Sequence, residues 1–147
     1  AVWGFQGGFH IHKGFYDKHL TANGYADIEK FAYNNREYDG SSYNSDGYAL
    51  SRAVEEFAKL PPHYKKVLIV LSDGQPAPYP DFRDYDTKAE AGKAEQALDY
   101  LFSVGIQSEA VSQYYKDYVV VNSTDDLPEA ITNCFRRVVG RRIRWTY

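Results

Sequence analysis

Residues 67–76 read VLIVLSDGQP, an apolar run that ends in Ser-Asp-Gly. The run 67–71 is apolar throughout rather than alternating, which is typical of a parallel-sheet strand covered on both faces. In a doubly wound sheet, ligands bind beyond the carboxyl ends of the strands. Asp73 stands at such an end, and we expect Gly74 to let the chain turn tightly after it. The stretch therefore predicts a parallel α/β fold and a place for a ligand.

Strands and helices are predicted to alternate along the chain. Strands follow from apolar runs bounded by glycine or proline, and helices from apolar residues spaced three and four apart. This alternation predicts a three-layer α/β/α domain with a mainly parallel, Rossmann-like sheet and right-handed crossovers. The predicted elements are strands at 2–5 and 9–15, a short helix at 25–33, a helix at 48–60, a strand at 67–71, a helix at 87–102, strands at 106–111 and 118–121, and a helix at 127–139.

Acidic residues are placed to cap the predicted helices. Asp46 precedes the helix at 48–60, which the pair Pro61-Pro62 stops. Asp86 precedes the helix at 87–102, which is expected to end at Gly105. Asp125 or Asp126 is expected to cap the last helix. The inward-facing residues of that helix are predicted to be Leu127, Ile131, Cys134, Phe135 and Val138.

The composition fits one folded domain over residues 1–147. Apolar residues make up 44% of the chain and charged residues 25%, which is enough for a packed core. The net charge of −3 gives no general attraction to nucleic acid or to membranes. The single cysteine, Cys134, excludes an internal disulfide and favours a cytoplasmic setting. No apolar run reaches membrane-spanning length, and residues 141–147 are expected to form a basic, solvated tail.

Asp73 is a candidate ligand for a hard cation. A carboxylate at the end of a buried strand is costly unless it meets a cation or several hydrogen-bond donors. Mg²⁺, Mn²⁺ and Ca²⁺ all prefer oxygen ligands. From Asp73 alone, a simple Asp-Gly turn in which the carboxylate bonds loop amides is favoured over a metal site. The second polar cluster, NSDG at 44–47, offers further oxygens before the helix that leads to this strand.

Other polar residues give weaker signals. His10 and His12 fall on one side of a strand, where an exposed polar edge is favoured over a metal site. Cys134 is expected to be a packed thiol rather than a nucleophile. Asp81 and Asp84 are expected to be solvated. The chain contains no Gly-x-Ser-x-Gly elbow and no glycine-rich phosphate loop, which argues against those classes of enzyme.

The two polar segments together resemble a known family. The segment NSDGYAL at 44–50, followed by a helix and KKVLIVLSDGQP at 65–76, is similar to the second and third metal-site segments of von Willebrand factor type A (VWA) domains. More narrowly, it resembles the bacterial branch at the C-terminus of the cobaltochelatase T subunit and in nitric-oxide-reductase activation proteins. The likeness covers most of residues 40–140 and continues in order through Asp86-Thr87, Gly105-Ile106, Tyr118-Val119-Val120, Leu127-Pro128 and Arg136-Arg137.

The resemblance implies a metal-ion-dependent adhesion site. In such a site a carboxylate of a partner protein takes an open position on Mg²⁺, or on Mn²⁺ or Ca²⁺. Asp73 matches the aspartate of the third segment, Asn44 matches the threonine position of the second, and Asp46 lies beside it. Relatives of this branch work beside AAA+ ATPases, in metal chelation into a tetrapyrrole or in activating a metalloenzyme. The resemblance thus implies a non-catalytic, cytoplasmic, cobaltochelatase-like subunit of cobalamin biosynthesis.

The sequence departs from the family pattern at two points. Asn44 stands where threonine is usual, although its amide oxygen can still bind a cation. The first segment, Asp-x-Ser-x-Ser after the first strand, is absent, because Ser41-Ser42 follows Asp39-Gly40 without a buried strand before it. We therefore expect an N-terminally truncated VWA-like domain, whose metal site lacks part of its ligand set.

Two alternative functions stay open at this point. A metal-dependent phosphohydrolase would use Asp46 and Asp73, but no nucleophile, general base or phosphate cradle is recognisable. A structural VWA domain with an inactive metal site would follow from asparagine in place of threonine. Metal-dependent turnover of a phosphoester would support the first alternative, and absence of metal binding would support the second.

Overall fold

A computed structural model describes residues 1–5, 8–34 and 43–140. The strands and helices, in chain order, are β1 (Val2–Phe5), β2 (Phe9–Lys13), α1 (Ala22–Asn34), α2 (Asp46–Ala58), β3 (Val67–Ser72), α3 (Thr87–Ala97), β4 (Tyr100–Ile106), β5 (Tyr118–Val121) and α4 (Leu127–Gly140). Short 3-10 turns occur at Pro80–Phe82, Glu109–Gln113 and Thr124–Asp126. The predicted basic tail 141–147 and the pair Ser41-Ser42 lie outside the described residues.

Two compact units are defined by the contacts within the chain. The first comprises Ala1–Ala53 and Pro76–Glu90, and the second comprises Val54–Gln75 and Ala91–Tyr147. The organisation of 1–147 as a single domain stays a prediction. Within the described residues, every helix is too short or too polar to cross a membrane.

A three-stranded parallel sheet, in the order β3-β4-β5, forms the centre of the second unit. Val67 of β3 lies opposite Tyr100 of β4, and Ser103 of β4 lies opposite Tyr118 of β5. Parallel neighbours need long crossover connections, and α3 supplies the crossover from β3 to β4. This arrangement confirms the predicted α/β class with a parallel, Rossmann-like sheet.

The core of the second unit packs one face of the sheet against α4. Alternate residues of β4 point to this face, because side chains of a strand alternate between its two sides. α4 contributes residues spaced three and four apart, the spacing of one helical face. The cluster consists of Tyr100, Phe102, Val104, Val121, Ala130 and Cys134, with Val67, Ile69, Ile106, Val119, Leu127 and Val138 packed against it.

β4, rather than β3, is the strand that is covered on both faces. The first six residues of β4 are all buried. β3 leaves Leu71 42% exposed, so the prediction that 67–71 is covered on both faces is wrong at its end. The physical reason lies in the strand order, since β4 is central in the three-stranded sheet and β3 pairs there only with β4.

The predicted helix at 87–102 is wrong beyond Ala97. α3 ends at Ala97, and the chain then enters β4 at Tyr100. Leu98 and Leu101 do fit the helical spacing of the preceding alanines. However, residues 100–102 are all apolar, and periodicity alone cannot distinguish so short an apolar stretch from a buried helix segment.

The predicted strand at 106–111 is also wrong. Ile106 is the last residue of β4, and Glu109–Gln113 forms a 3-10 turn. Gly105 lies inside β4 instead of ending a helix. A Cβ atom on Gly105 would lie 2.2 Å from the carbonyl oxygen of Ser108, so the chain after β4 folds back closely over the strand.

The first unit contains an antiparallel hairpin of β1 and β2, on which α1 packs. Trp3 lies opposite Ile11, and its ring contacts Phe9 and Phe15 at centroid distances of 5.6 and 5.3 Å. The predicted strand at 2–5 is confirmed. The predicted strand at 9–15 ends two residues early, and the helix predicted at 25–33 extends over Ala22–Asn34.

Candidate functional site

Asn44 and Ser45 lead directly into α2, in the first unit. The first helical hydrogen bond runs from the amide of Ala49 to the carbonyl of Ser45, over 3.0 Å. Asp46 is therefore the first residue of the helix, and the prediction that it caps the helix from outside is wrong. An acidic residue in the first turn is still stabilised by the partial positive charge of the helix N-terminus.

Asp46 and Ser45 are almost fully buried, with 2% and 1% of their surfaces exposed. A carboxylate with so little exposure has lost its hydration, and it is stable only when polar groups or a cation compensate. Asn44, next to them, is half-buried. Asn44 and Asp46, the predicted ligands that belong to the first unit, are thus separated by one residue at the start of α2.

The backbone around Asn44 is fixed by residues 76–85, which we call segment 76–85. Asn44 and Ala77 exchange two backbone hydrogen bonds, of 2.8 and 2.9 Å, as an isolated antiparallel bridge. The amide of Tyr79 donates to the Oγ atom of Ser45 at 3.0 Å. These bonds hold the peptide groups on both sides of the Asn44 side chain in place.

Gly47 lies against the end of segment 76–85. A Cβ atom there would be 2.1 Å from the carbonyl oxygen of Tyr85 and 3.1 Å from the amide nitrogen of Thr87. The first distance is far below van der Waals contact and the second slightly below it, and both partners are backbone atoms that cannot swing away. Glycine is therefore required at position 47 by the close approach of two backbones.

Asp73 lies in the second unit, immediately after β3, and is exposed. The hydroxyl of Ser72 donates to the carbonyl of Gly74 at 3.2 Å, which shapes the local turn. A Cβ atom on Gly74 would meet nothing within 4 Å, and the φ angle of Gly74 is not left-handed. The chain after Asp73 therefore does not depend on the conformational freedom of glycine at position 74.

The three predicted ligands offer two carboxylates and one amide oxygen, the donor types of a hard cation. Within 1–5, 8–34 and 43–140, no three His, Cys, Asp or Glu side chains form a group that could hold a metal ion. Asn44 would thus have to supply the third oxygen. These oxygens are of the type that Mg²⁺ binds, and Mg²⁺ keeps several waters even when bound.

Comparison with known families decides the assignment. Residues 39–141 match the family model described as the cobalamin biosynthesis protein CobT VWA domain. The chain belongs to the CobT VWA domain family. The match spans well over half of the 147 residues and confirms the resemblance to the C-terminal domain of the cobaltochelatase T subunit. No curated protein and no solved structure gives a significant match.

Membership makes this chain a cobaltochelatase-related module of cobalamin biosynthesis with the Rossmann-like VWA fold. The matched residues run from before α2 to the end of α4, and so include Asn44, Asp46 and Asp73. The hairpin and α1 precede the matched part of this CobT VWA domain.

The two histidines of the hairpin lie on β2 and differ in exposure. His10 is exposed and His12 is half-buried. Burial, and next the neighbouring His10, lower the pKa of His12, while Asp27 acts in the opposite direction. Burial and the neighbouring imidazole both disfavour the charged form of His12.

The acidic residues that follow β3 have separate roles in the CobT VWA domain. Asp81 and Asp84 are exposed, as predicted. The Oδ1 atom of Asp86 accepts a hydrogen bond of 2.7 Å from the amide of Ala89, which confirms the predicted cap of α3. Asp86 is thereby engaged at its helix and not in the candidate site.

Sequence reasoning missed Ser45 and the attachment of segment 76–85 to the start of α2. In the sequence, Ser45 is only one member of the polar cluster NSDG at 44–47, with no separate signal of its own. A signal did exist in segment 76–85, where prolines alternate with other residues and aromatic residues recur every third position. These are Pro76, Pro78 and Pro80, and Tyr79, Phe82 and Tyr85.

Proposed function

We propose that this CobT VWA domain is a divalent-cation-dependent module that binds a carboxylate on a partner protein. Asn44, Asp46 and Asp73 would hold Mg²⁺, or alternatively Mn²⁺ or Ca²⁺. The bound cation would supply an open coordination position for a carboxylate oxygen of the partner. The partner we propose is an AAA+ ATPase that acts with this module in metal chelation into a tetrapyrrole or in activating a metalloenzyme.

The observation that supports the proposal most strongly is the buried carboxylate of Asp46 beside a backbone-fixed Asn44. Asp46 is 2% exposed. The peptide of Asn44 is held by two backbone bonds to Ala77. A cation site needs oxygens whose positions are set before binding, because reordering them would reduce the affinity. Both side chains satisfy this condition through the backbone that carries them.

The family match supports the inclusion of Asp73, which lies within the matched residues 39–141. Asp73 is also exposed, so its carboxylate is accessible to an incoming cation. The proposal assigns it the ligand role that the family resemblance implies.

The module is proposed to be a non-catalytic subunit. Its suggested residues bind a cation and a partner, and the chain offers no recognisable nucleophile and base pair. In a multi-subunit chelatase the chemistry would then belong to other chains. Metal-dependent hydrolysis of a phosphoester by the purified chain, lost on Asp73→Asn, would contradict this assignment.

The test is metal binding by calorimetry, followed by capture of the partner. The wild-type chain is expected to bind Mn²⁺ and Mg²⁺, and Asp73→Ala is expected to weaken the Mn²⁺ affinity by about tenfold or more, because one of three protein ligands is lost. In the presence of Mg²⁺, the same variant should recover less of a purified AAA+ ATPase of the chelatase type.

Asp126→Ala is the matched control, because Asp126 is another exposed aspartate of the second unit and lies outside segment 76–85. It should leave both the Mn²⁺ affinity and the partner recovery unchanged. Equal partner recovery by wild type and Asp73→Ala would show that the cation site does not mediate the interaction.

A further inference from the structure

Aromatic rings join segment 76–85 to the start of α2, in addition to the hydrogen bonds. Tyr48 and Phe82 stack with centroids 3.9 Å apart and planes inclined by 2°. Tyr85 meets Tyr48 edge-on at 5.2 Å, and Tyr79 meets Tyr43 edge-on at 4.9 Å. All five rings belong to the first unit. The rings thus form a second set of contacts, independent of the backbone bonds.

These contacts lie on both sides of Asn44 and Asp46 in the chain. Segment 76–85 contacts both neighbours of Asp46. It bonds to the hydroxyl of Ser45 on one side and packs closely against the backbone of Gly47 on the other. A change of backbone conformation at Asp46 would break several contacts at once. The residues of α2 and its approach that contact the segment are Tyr43, Asn44, Ser45, Gly47 and Tyr48.

Segment 76–85 has few conformations available to it. Its three prolines each fix a φ angle near −65°. Tyr79, between two of them, has φ −55° and ψ 146°, the polyproline II conformation. Two backbone bonds, from Phe82 to Tyr79 and from Tyr85 to Phe82, close successive turns. The segment is therefore a pre-ordered support, and little entropy is lost when it holds α2.

We propose that segment 76–85 positions Asn44 and Asp46 for the cation, with Phe82 and Ser45 as positioning residues that set the metal affinity without touching the metal. This inference rests on the proposed function, since it concerns the same ligands. Phe82 acts through its stack on Tyr48, and Ser45 acts through its hydrogen bond with Tyr79. Loss of groups that orient metal ligands typically weakens binding by about 10–100-fold.

The test compares two substitutions at one position. Phe82→Leu removes the stack on Tyr48 and is expected to weaken the Mn²⁺ affinity of the 147-residue chain by about tenfold or more. Phe82→Tyr keeps the ring and is expected to bind Mn²⁺ like the wild type. Phe135→Leu is the control for removing a ring elsewhere, since Phe135 is exposed on α4 in the second unit. Circular dichroism and thermal melting without metal verify that each variant is folded.

A folded Phe82→Leu variant that binds Mn²⁺ as tightly as the wild type overturns the inference. If Phe82→Leu does not fold, the Mn²⁺ affinity of Ser45→Ala is compared with that of the wild type instead. This substitution removes only the oxygen that accepts a hydrogen bond from the amide of Tyr79. Retained affinity in that variant also overturns the inference, and a tenfold loss supports it.

The proposed function and this inference fail in different ways. Wild-type Mn²⁺ binding that is lost in Asp46→Ala but retained in Phe82→Leu overturns the positioning role alone. A wild-type chain that binds no Mn²⁺, or whose binding is unchanged by Asp46→Ala, overturns the proposed cation site and the positioning role with it.

Discussion

At the scale of single residues, two of the three Asp-Gly pairs of the chain have opposite requirements. Asp46-Gly47 begins α2, and Asp73-Gly74 follows β3. Position 47 has no space for a Cβ atom, whereas position 74 has open space. Glycine is thus required sterically at position 47 and replaceable at position 74. Local sequence cannot distinguish them, because the atoms that crowd Gly47 belong to Tyr85 and Thr87.

Gly47→Ala is predicted to destabilise the protein by about 1–3 kcal/mol or more, the usual cost of overpacking. The added Cβ would meet backbone atoms of Tyr85 at 2.1 and 2.8 Å, which forces the two backbones apart. The free energy of unfolding in urea measures the effect.

Gly92→Ala is the matched control, because Gly92 also lies inside a helix but has nothing within 4 Å of a Cβ position. There alanine should stabilise the protein by up to about 1 kcal/mol through its higher helix propensity. Equal effects of the two substitutions would show that position 47 is not crowded.

At the scale of elements, α4 shows how one step along a helix separates core from surface. Cys134 is completely buried in the cluster against the sheet. Phe135, the next residue, is 51% exposed, so its predicted inward direction is wrong. Successive residues differ by about 100° around a helix, and Ala130 and Cys134 define the buried face. Ala130 and Cys134 share this cluster with Tyr100 and Phe102 of β4.

Cys134→Ser is predicted to cost about 1–3 kcal/mol of stability, because it places a hydroxyl in an apolar cluster. Phe135→Ser, its neighbour and control, should change stability by less than about 0.5 kcal/mol. Thermal or urea unfolding of the two variants measures the difference. A larger loss for Phe135→Ser would mean that the helix face is assigned incorrectly.

The thiol of Cys134 also makes stability depend on pH. Burial raises its pKa, with Arg137 opposing and Asp117 adding to the effect. The folded protein therefore holds this proton more tightly than the unfolded chain. The stabilisation is fully present below the unfolded thiol pKa of about 8.5 and is lost as the pH rises through the higher folded value. The free energy of unfolding should fall above about pH 8.5 more steeply in wild type than in Cys134→Ala.

α3 and β4 show the limit of reading elements from local pattern. The alanines of α3 and the aromatic run of β4 follow each other with only two residues between the elements. Leu98 and Leu101 extend the helical spacing into the strand. What ends α3 is the pairing of β4, whose backbone groups bond to β3 and β5 on either side. Sheet pairing is a tertiary effect, so it overrides a weak helical preference.

At the scale of the whole molecule, the proposed cation links binding to stability. A ligand that binds only the folded state raises the free energy of unfolding by about 2.7 kcal/mol at a free concentration of 100 times its Kd. We predict that Mg²⁺ raises the melting temperature of the wild type in a concentration-dependent manner. Asp46→Ala should abolish this increase, with Asp126→Ala, an exposed aspartate outside segment 76–85, as the control. An equal increase in both variants would indicate non-specific ion effects.

The amino-acid sequence predicts the α/β class, most of the elements and the family. It could do so because these depend on local features: the apolar run before Asp73, the helical spacing of α2 and α4, and the ordered short motifs that the CobT VWA family shares.

The folded structure was needed to show that β4 is the buried central strand, that Gly47 rather than Gly74 must be glycine, and that segment 76–85 supports the start of α2. Each of these depends on residues far apart in the chain, such as Ser45 and Tyr79, which are 34 positions apart. Local sequence patterns indicate which residues prefer burial or a helix, but they do not indicate which distant part of the chain will contact those residues.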